Sequence, residues 1–299
     1  MSSSLRIGSN NKSLRFFATA AVAVAFGAGS LCHAQENVPP ATVDLSLAQA
    51  SGTDAQTQPA NQTTSPTTIA PSPNDWYEVV SPYLWFPGIH GTVGAKGKLT
   101  SVHASATDLL SNFRFGLMGE VDFHYKRFIA PVDLMWVRLG DDTALPVNEL
   151  GVTSANAKMG ELLFTPKIGY EIIHLKMLEV DALTGFRYWH LSQDVQFSPA
   201  SLGLNFSASQ NWVDPLVGGR IVTPLSPKMS VVVAGDVGGW NVGSQLEYQI
   251  VGLLGYKIKP AWMLQAGYRY LDVNFRGGQG SVFDVVMSGL VFGVSINFQ

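Results

Sequence analysis

Apolar and polar residues alternate along most of this chain with a period of two. The final segment, LVFGVSINFQ (residues 290–299), shows the pattern. Leu290, Phe292, Val294, Ile296 and Phe298 are large and apolar, whereas Val291, Gly293, Ser295 and Asn297 between them are mostly small or polar. A period of two belongs to β-strands whose faces meet different surroundings. In a soluble sandwich or barrel the apolar face meets a core and the other face meets water. In a barrel that crosses a bilayer the arrangement inverts, with apolar residues facing lipid and small or polar ones facing the interior. The rest of the chain chooses between the two.

From Trp76 onward, alternating segments are divided by connections of two kinds. YKRF (125–128), IHLKM (173–177), PLSPKM (224–229) and KIKPAW (257–262) are tight. GDDTALPVNELG (140–151), DVQFSPASLGLN (194–205), GGWNVGS (238–244) and NFRGGQGS (274–281) are more open, and a long first loop holds KLTSVHASATDLLSNF (98–113). Tight and open connections alternate, as turns and loops do on the two sides of a membrane barrel. The spacing predicts ten strands, near 76–94, 113–125, 128–141, 152–172, 176–193, 206–224, 229–241, 243–258, 261–275 and 281–298. Each reaches the roughly 9–11 residues that cross a bilayer at a tilt. A break at Pro87-Gly88 would give twelve shorter strands, and eight is also open.

The two faces decide the solvent. Leu246, Tyr248, Ile250, Leu254, Tyr256 and Ile258, with Gly252 their only small member, oppose Gln245, Glu247, Gln249, Val251, Leu253, Gly255 and Lys257. Leu162, Phe164, Ile168 and Tyr170 oppose Glu161, Thr165, Lys167 and Gly169, and Phe115, Leu117, Val121 and Phe123 oppose Gly116, Met118, Glu120 and Asp122. The bulky face carries aromatics on nearly every strand, more volume than a small barrel interior holds. Tyr and Trp gather towards strand ends (Tyr77, Tyr83, Trp85, Trp136, Tyr170, Tyr188, Trp262, Tyr268, Tyr270), as girdles at two interfaces require. The expected fold is all-β: a closed antiparallel transmembrane β-barrel of about ten strands, the last paired with the first.

Composition agrees. Of 299 residues only 14% are charged and 46% are hydrophobic, against roughly 25% charged in an average soluble domain. The net charge of −3 gives no footing for nucleic acid. Arg6, Lys12 and Arg15 precede FFATAAVAVAFGA (16–28), and no acid comes before Glu36, so residues 1–34 read as an export signal. Cys32 is either removed with that signal or, on a rival lipoprotein reading, retained; Gly29 stands where that reading wants a leucine. Residues 35–74, rich in Pro, Thr, Gln, Ala and Ser, read as a disordered periplasmic tail, and 75–299 as the barrel.

The segment GVSINF is similar to the C-terminal assembly signal of bacterial outer-membrane proteins, with Gly293, Ile296 and Phe298 at the usual spacing. It departs from it in that Gln299 follows the aromatic and Val291 replaces a common polar residue. SPYLWFPGIHG, VDPLVGGR, AGDVGGWNVGS and GYRYLDV resemble a widespread family of uncharacterised bacterial outer-membrane β-barrel proteins, over about residues 76–298. Its architecture is that of small barrels such as the outer-membrane protein A transmembrane domain. The resemblance implies fold and location: secretion to the outer membrane of a Gram-negative cell. The partners it implies are outer-membrane lipids, lipopolysaccharide and the barrel-assembly machinery. It names no surface ligand.

The candidate site is the interior. On the predicted register the inward acids are Glu78, Glu120, Asp122, Asp133, Glu161, Glu171, Glu179, Asp181, Asp214, Asp236 and Glu247. The inward bases are Lys167, Arg187, Arg220, Lys257 and Arg269. Enclosed charges must pair, hydrate or neutralise. The leading expectation is an ion-pair network filling a structural or surface-interaction barrel, with Asp214–Arg220 and Asp236–Arg269 the first pairs to consider. The alternative is a narrow pore whose acidic excess favours cations. Enzymatic chemistry is the weakest reading. No serine motif or acid pair accompanies His90, His103, His124, His174 or His190. Ligand spacing for a metal is lacking, no cofactor is implied, and GGQG (277–280) lacks the lysine of a phosphate loop.

Overall fold

The structure, a computed structural model, describes residues 76–95, 98–144, 154–198 and 205–298. The expected export signal and polar tail lie outside the described residues.

Eleven strands form one antiparallel sheet. They are β1 (Trp76–Ala95), β2 (Lys98–Ala104), β3 (Phe113–Tyr125), β4 (Phe128–Ala144), β5 (Ser154–Leu175), β6 (Leu178–Ser198), β7 (Asn205–Ser226), β8 (Met229–Gly238), β9 (Ser244–Lys259), β10 (Trp262–Arg276) and β11 (Val282–Phe298). Ten make the wall of a closed barrel. Every neighbour in sequence pairs except β2 with β3, both of which pair with β1, and β11 returns to β1 from Glu78↔Phe298 to Gly94↔Val282. In hydrocarbon no water is available to an unpaired N–H or C=O, and this seam pairs the edges that β1 and β11 would otherwise expose. β1 runs unbroken through Pro87 and Gly88, and the two-residue turns fall at 126–127, 176–177, 227–228 and 260–261.

The eleventh strand corrects one expectation. Residues 98–113 are not a plain loop: β2 pairs with the upper part of β1, from Ile89↔Ala104 to Ala95↔Lys98, and β3 pairs with its lower part. Between them lies α1 (Ala106–Ser111). A capping box starts this helix, with Ser105 Oγ accepting from the Asp108 N–H at 3.3 Å and the Ser105 N–H donating to Asp108 Oδ2 at 2.9 Å. Leu109 anchors it beside Val102 and Ala104. β2, α1 and β3 therefore complete one wall position that the sequence splits.

Outside, large apolar side chains stand exposed on strand after strand: Leu84, Leu117, Phe128, Ile168, Phe186, Val217, Leu254, Leu264 and Phe292 among them. A monomer in water seldom exposes a contiguous apolar patch beyond a few hundred Å². A belt around the full circumference is the surface of a transmembrane barrel. Three expected girdle residues belong elsewhere. Tyr77 and Tyr83 line the interior, and Trp85 is buried in its apolar core. Glu78, expected inside, shares the outward parity of Trp76 and Val80, because Tyr77 and Val79 take the inward positions on either side of it.

The seam and the belt make opposite demands on glycine. A Cβ on Gly289 would overlap the carbonyl oxygen of Phe86 across the seam, whereas one on the lipid-facing Gly252 would meet nothing within 4 Å. Gly289→Leu is expected to abolish the compact band that a closed barrel gives on an unboiled detergent gel, and Gly252→Leu to keep it. A compact band from Gly289→Leu would show that this seam is not the closure.

Candidate functional site

The interior is divided along the barrel axis into three zones, each set by residue type at inward positions. At the short-turn end it is an open vestibule of about 400 Å3, whose wall includes Tyr77, Glu120, Asp122, His124, Lys257 and Asn297. Above it comes a layer of ion pairs. Above that, Trp85, Met118, Met135, Leu163, Trp189, Trp212, Leu271, Phe275 and Met287 form a hydrophobic core inside the barrel.

Arg187 on β6 is the hub of the charged layer and is fully buried. Its Nε donates to Thr165 Oγ1 at 3.1 Å, its Nη1 to Glu247, and its Nη2 to Asp236 Oδ1 at 3.2 Å. Asp236 also accepts from Lys167 Nζ at 2.5 Å. Gln249 links this group to Arg269, donating to Asp236 Oδ2 at 3.5 Å and accepting from Arg269 Nε at 2.9 Å. Arg269 then reaches the far wall, donating to the Tyr83 hydroxyl at 2.9 Å and pairing with Asp133 at 3.4 Å. Tyr83 completes the triangle by donating to Asp133 Oδ1 at 2.7 Å. One continuous network thus joins β1, β4, β5, β6, β8, β9 and β10. A second crosses the vestibule wall, where Arg220 on β7 pairs with Asp181 on β6 and with Asp122 on β3, each at 2.8 Å.

The aromatic core rests on these charges. Trp189 Nε1 donates to Glu247 Oε2 at 2.7 Å, and Trp212 Nε1 donates to Asp214 Oδ2 at 2.9 Å and to Ser244 Oγ at 3.0 Å. The indoles stack on each other at 5.3 Å, and Phe275 stacks on Trp212 at 4.0 Å. Trp189 and Trp212 therefore keep their polar edges on carboxylates while their rings fill the lumen, whereas the buried Trp85 Nε1 has no partner among the described residues.

The structure separates the expected pairs. Asp214 accepts from Trp212 and Ser244, not Arg220, because six positions along one strand set them about 20 Å apart. Asp236 is bound by Lys167 and Arg187, and Arg269 by Asp133. Glu120 and Glu179 line the vestibule. Glu161 lies away from the network, beside a small cavity of about 70 Å3 within the upper core, and its Oε1 has no hydrogen-bond partner among the described residues. Sequence reasoning missed the plug: Trp85, Trp212 and Phe275 carry inward parity, but ring type suggested a girdle or nothing at all. It also missed that β5 shifts register between Glu171 and Ile173. That bulge aligns His174 with Glu179 and brings Glu171, His174 and Glu179 within 4.8 Å, a grouping of metal-ligand type that spacing alone hid. His124 stacks on Tyr77 at 4.3 Å and shares a 3.0 Å hydrogen bond with its hydroxyl, while Asp122 faces Arg220.

A closed barrel with an apolar exterior and a filled interior defines the class: a plugged transmembrane β-barrel. No protein-family model matches the chain, and no curated protein matches it. Among solved structures it is similar to the outer membrane protease OmpT from Escherichia coli, at 10% identity and a TM-score of 0.46, over 78% of this chain and 100% of that one. It is also similar to Ail, the attachment invasion locus protein of Yersinia pestis, at 11% identity and a TM-score of 0.31, over 75% and 99%. The toluene transporter TodX of P. putida matches at 11% and 0.31, over 76% and 90%. Identities this low carry no residue correspondence.

Removing the hub strands its partners. Arg187→Met should leave Glu247 without its cation, Asp236 keeping only Lys167, and cost about 3–5 kcal/mol, read as a lower unfolding midpoint of the barrel in detergent. Arg276→Met, whose partner Asp284 is exposed, should shift it by under about 1 kcal/mol. Equal midpoints for the two variants would remove the network from any account of stability.

Proposed function

We propose that the chain is an outer-membrane β-barrel with a structural or surface-interaction role, closed to solute flow and presenting its longer connections at the cell surface. The observation that carries this reading is the two-layer plug. Charges linked from wall to wall, topped by stacked indoles, leave the vestibule open at one end only. A diffusing ion would have to break the Arg187 and Arg269 networks and then cross an apolar layer. The acidic excess expected of the interior as a whole therefore does not amount to a conduction path, and the vestibule wall itself sets Glu120, Asp122, Asp133 and Glu179 against Lys167, Arg187, Arg220, Lys257 and Arg269. The tight turns face the periplasm, as short turns do in barrels of this kind. Outer-membrane lipids and lipopolysaccharide surround the belt. Gly293 pairs with Tyr83 at the seam, while Ile296 and Phe298 face outward at the end of β11, where the barrel-assembly machinery would grip them.

The reading includes no enzymatic role. His124, the inward histidine of the vestibule, is occupied by Tyr77, and its neighbour Asp122 by Arg220, so neither is poised as a base with an orienting acid.

Two measurements test it. Cell fractionation should place a heat-modifiable band in the outer membrane. In planar bilayers the purified chain should insert without steady conductance, and Trp189→Ala/Trp212→Ala/Phe275→Ala, which empties the apolar layer, should conduct with a preference for cations. Steady conductance by the unaltered chain would overturn the closed-barrel reading in favour of a narrow pore, and altered selectivity in Asp236→Ala would confirm that pore's path.

A further inference from the structure

The lipid-facing belt is indented at the short-turn end. Ala130 on β4 and Ala182 and Thr184 on β6 put small side chains on the floor of an exterior groove of about 560 Å3. Tyr125, Phe128 and Tyr170 wall it. Register explains the shape: Tyr125 pairs with Phe128, Phe128 with Tyr170 and Tyr170 with Ala182, so one cross-strand row passes from three rings to a methyl group. The groove offers almost no polarity. The Thr184 hydroxyl is turned away to donate to the Leu216 carbonyl at 3.0 Å. Its shape and surface suit a hydrocarbon chain, not a side chain seeking hydrogen bonds.

What stands over the groove is cationic. The turn joining β3 to β4 consists of Lys126 and Arg127, which are folded onto the groove's own walls. Lys126 Nζ sits 5.4 Å from the Tyr125 ring and the Arg127 guanidinium 5.1 Å from the Tyr170 ring. Arg127 is half exposed, and its approach to Glu171 is long, at 3.8 Å, so its donors remain available. The neighbouring tight turn, between β5 and β6, adds Lys176. The acids nearest by register are Glu171 and Glu78, the latter paired with Phe123. An apolar cleft continuous with two cations at the membrane surface matches a molecule that is acyl chain at one end and phosphate at the other.

We propose that this groove binds one anionic phospholipid of the periplasmic leaflet, its acyl chain on the Ala130, Ala182 and Thr184 floor and its phosphate held by Lys126 and Arg127. The proposal rests on the membrane-spanning reading above. Two cations facing one phosphate leave positive charge in excess, so a headgroup that adds no ammonium is preferred.

Native mass spectrometry of the purified full chain in detergent, with equal amounts of phosphatidylglycerol and phosphatidylcholine of matched acyl chains, tests it. One retained lipid is expected, with phosphatidylglycerol favoured about tenfold. In Lys126→Ala/Arg127→Ala that preference should fall to near parity. Ala182→Trp, which fills the groove from its lipid-facing side, should lose the adduct of either lipid while keeping the compact gel band. No headgroup preference in the unaltered chain, or one unchanged in the double variant, sinks the phosphate contact. An adduct surviving in Ala182→Trp sinks the groove. In both cases the barrel itself stands. A chain that stays monodisperse without detergent overturns this proposal together with the reading beneath it.

Discussion

The guanidinium of Arg187 lies on the inner wall of a barrel whose outer wall faces hydrocarbon, and it cannot leave. Its donors therefore need acceptors within reach, and Thr165, Glu247 and Asp236 supply them from three other strands. The same demand then passes outward. Asp236 needs a second cation and takes Lys167, and Gln249 couples it to Arg269, which needs Asp133 and Tyr83. Buried ion pairs are poor sources of net stability, since desolvation offsets most of their attraction. What they contribute here is geometry. Walls that pair only with their neighbours along the sheet become linked across the lumen, as between Tyr83 and Arg269, 186 residues apart.

That cross-linking divides the interior and explains where the bulky inward residues go. The indoles of Trp189 and Trp212 donate to the carboxylates of Glu247 and Asp214 and pack their carbon faces into the apolar core. Below the layer the inward positions are smaller or more polar, and the space stays open at the short-turn end. The closed end and the open end thus follow from one feature, a sheet of charges spanning the lumen. Outside, the basic tight turns and the aromatic walls beneath them follow the ordinary logic of an interface, except where Ala130, Ala182 and Thr184 hollow it out.

Much of the architecture was legible from local pattern. Alternation, even spacing and the distinction between tight and open connections located strands such as β3 and β9 to within a residue or two, because a period of two is a purely local property. The inward parity of Arg187, Asp214 and Glu247 was readable for the same reason. Their partners were not. Asp214 and Arg220 look adjacent along the chain yet lie far apart along one strand, while Arg187 and Glu247 are separated by 60 residues and touch. The Ser105 capping box that begins α1 is a real local signal, but polar surroundings made the whole segment look like loop. The bulge after Glu171 reversed parity at His174 with no mark in the residue types.

The sequence by itself determined that there are two faces, which residues share each, and that the apolar one must meet lipid. These follow from the pleat and from the transfer free energy of side chains, neither of which depends on distant contacts. Only the tertiary structure decided who meets whom across the lumen. That depends on how closure, strand stagger and tilt bring distant strands to the same height, and those are properties of the whole sheet rather than of any stretch of it.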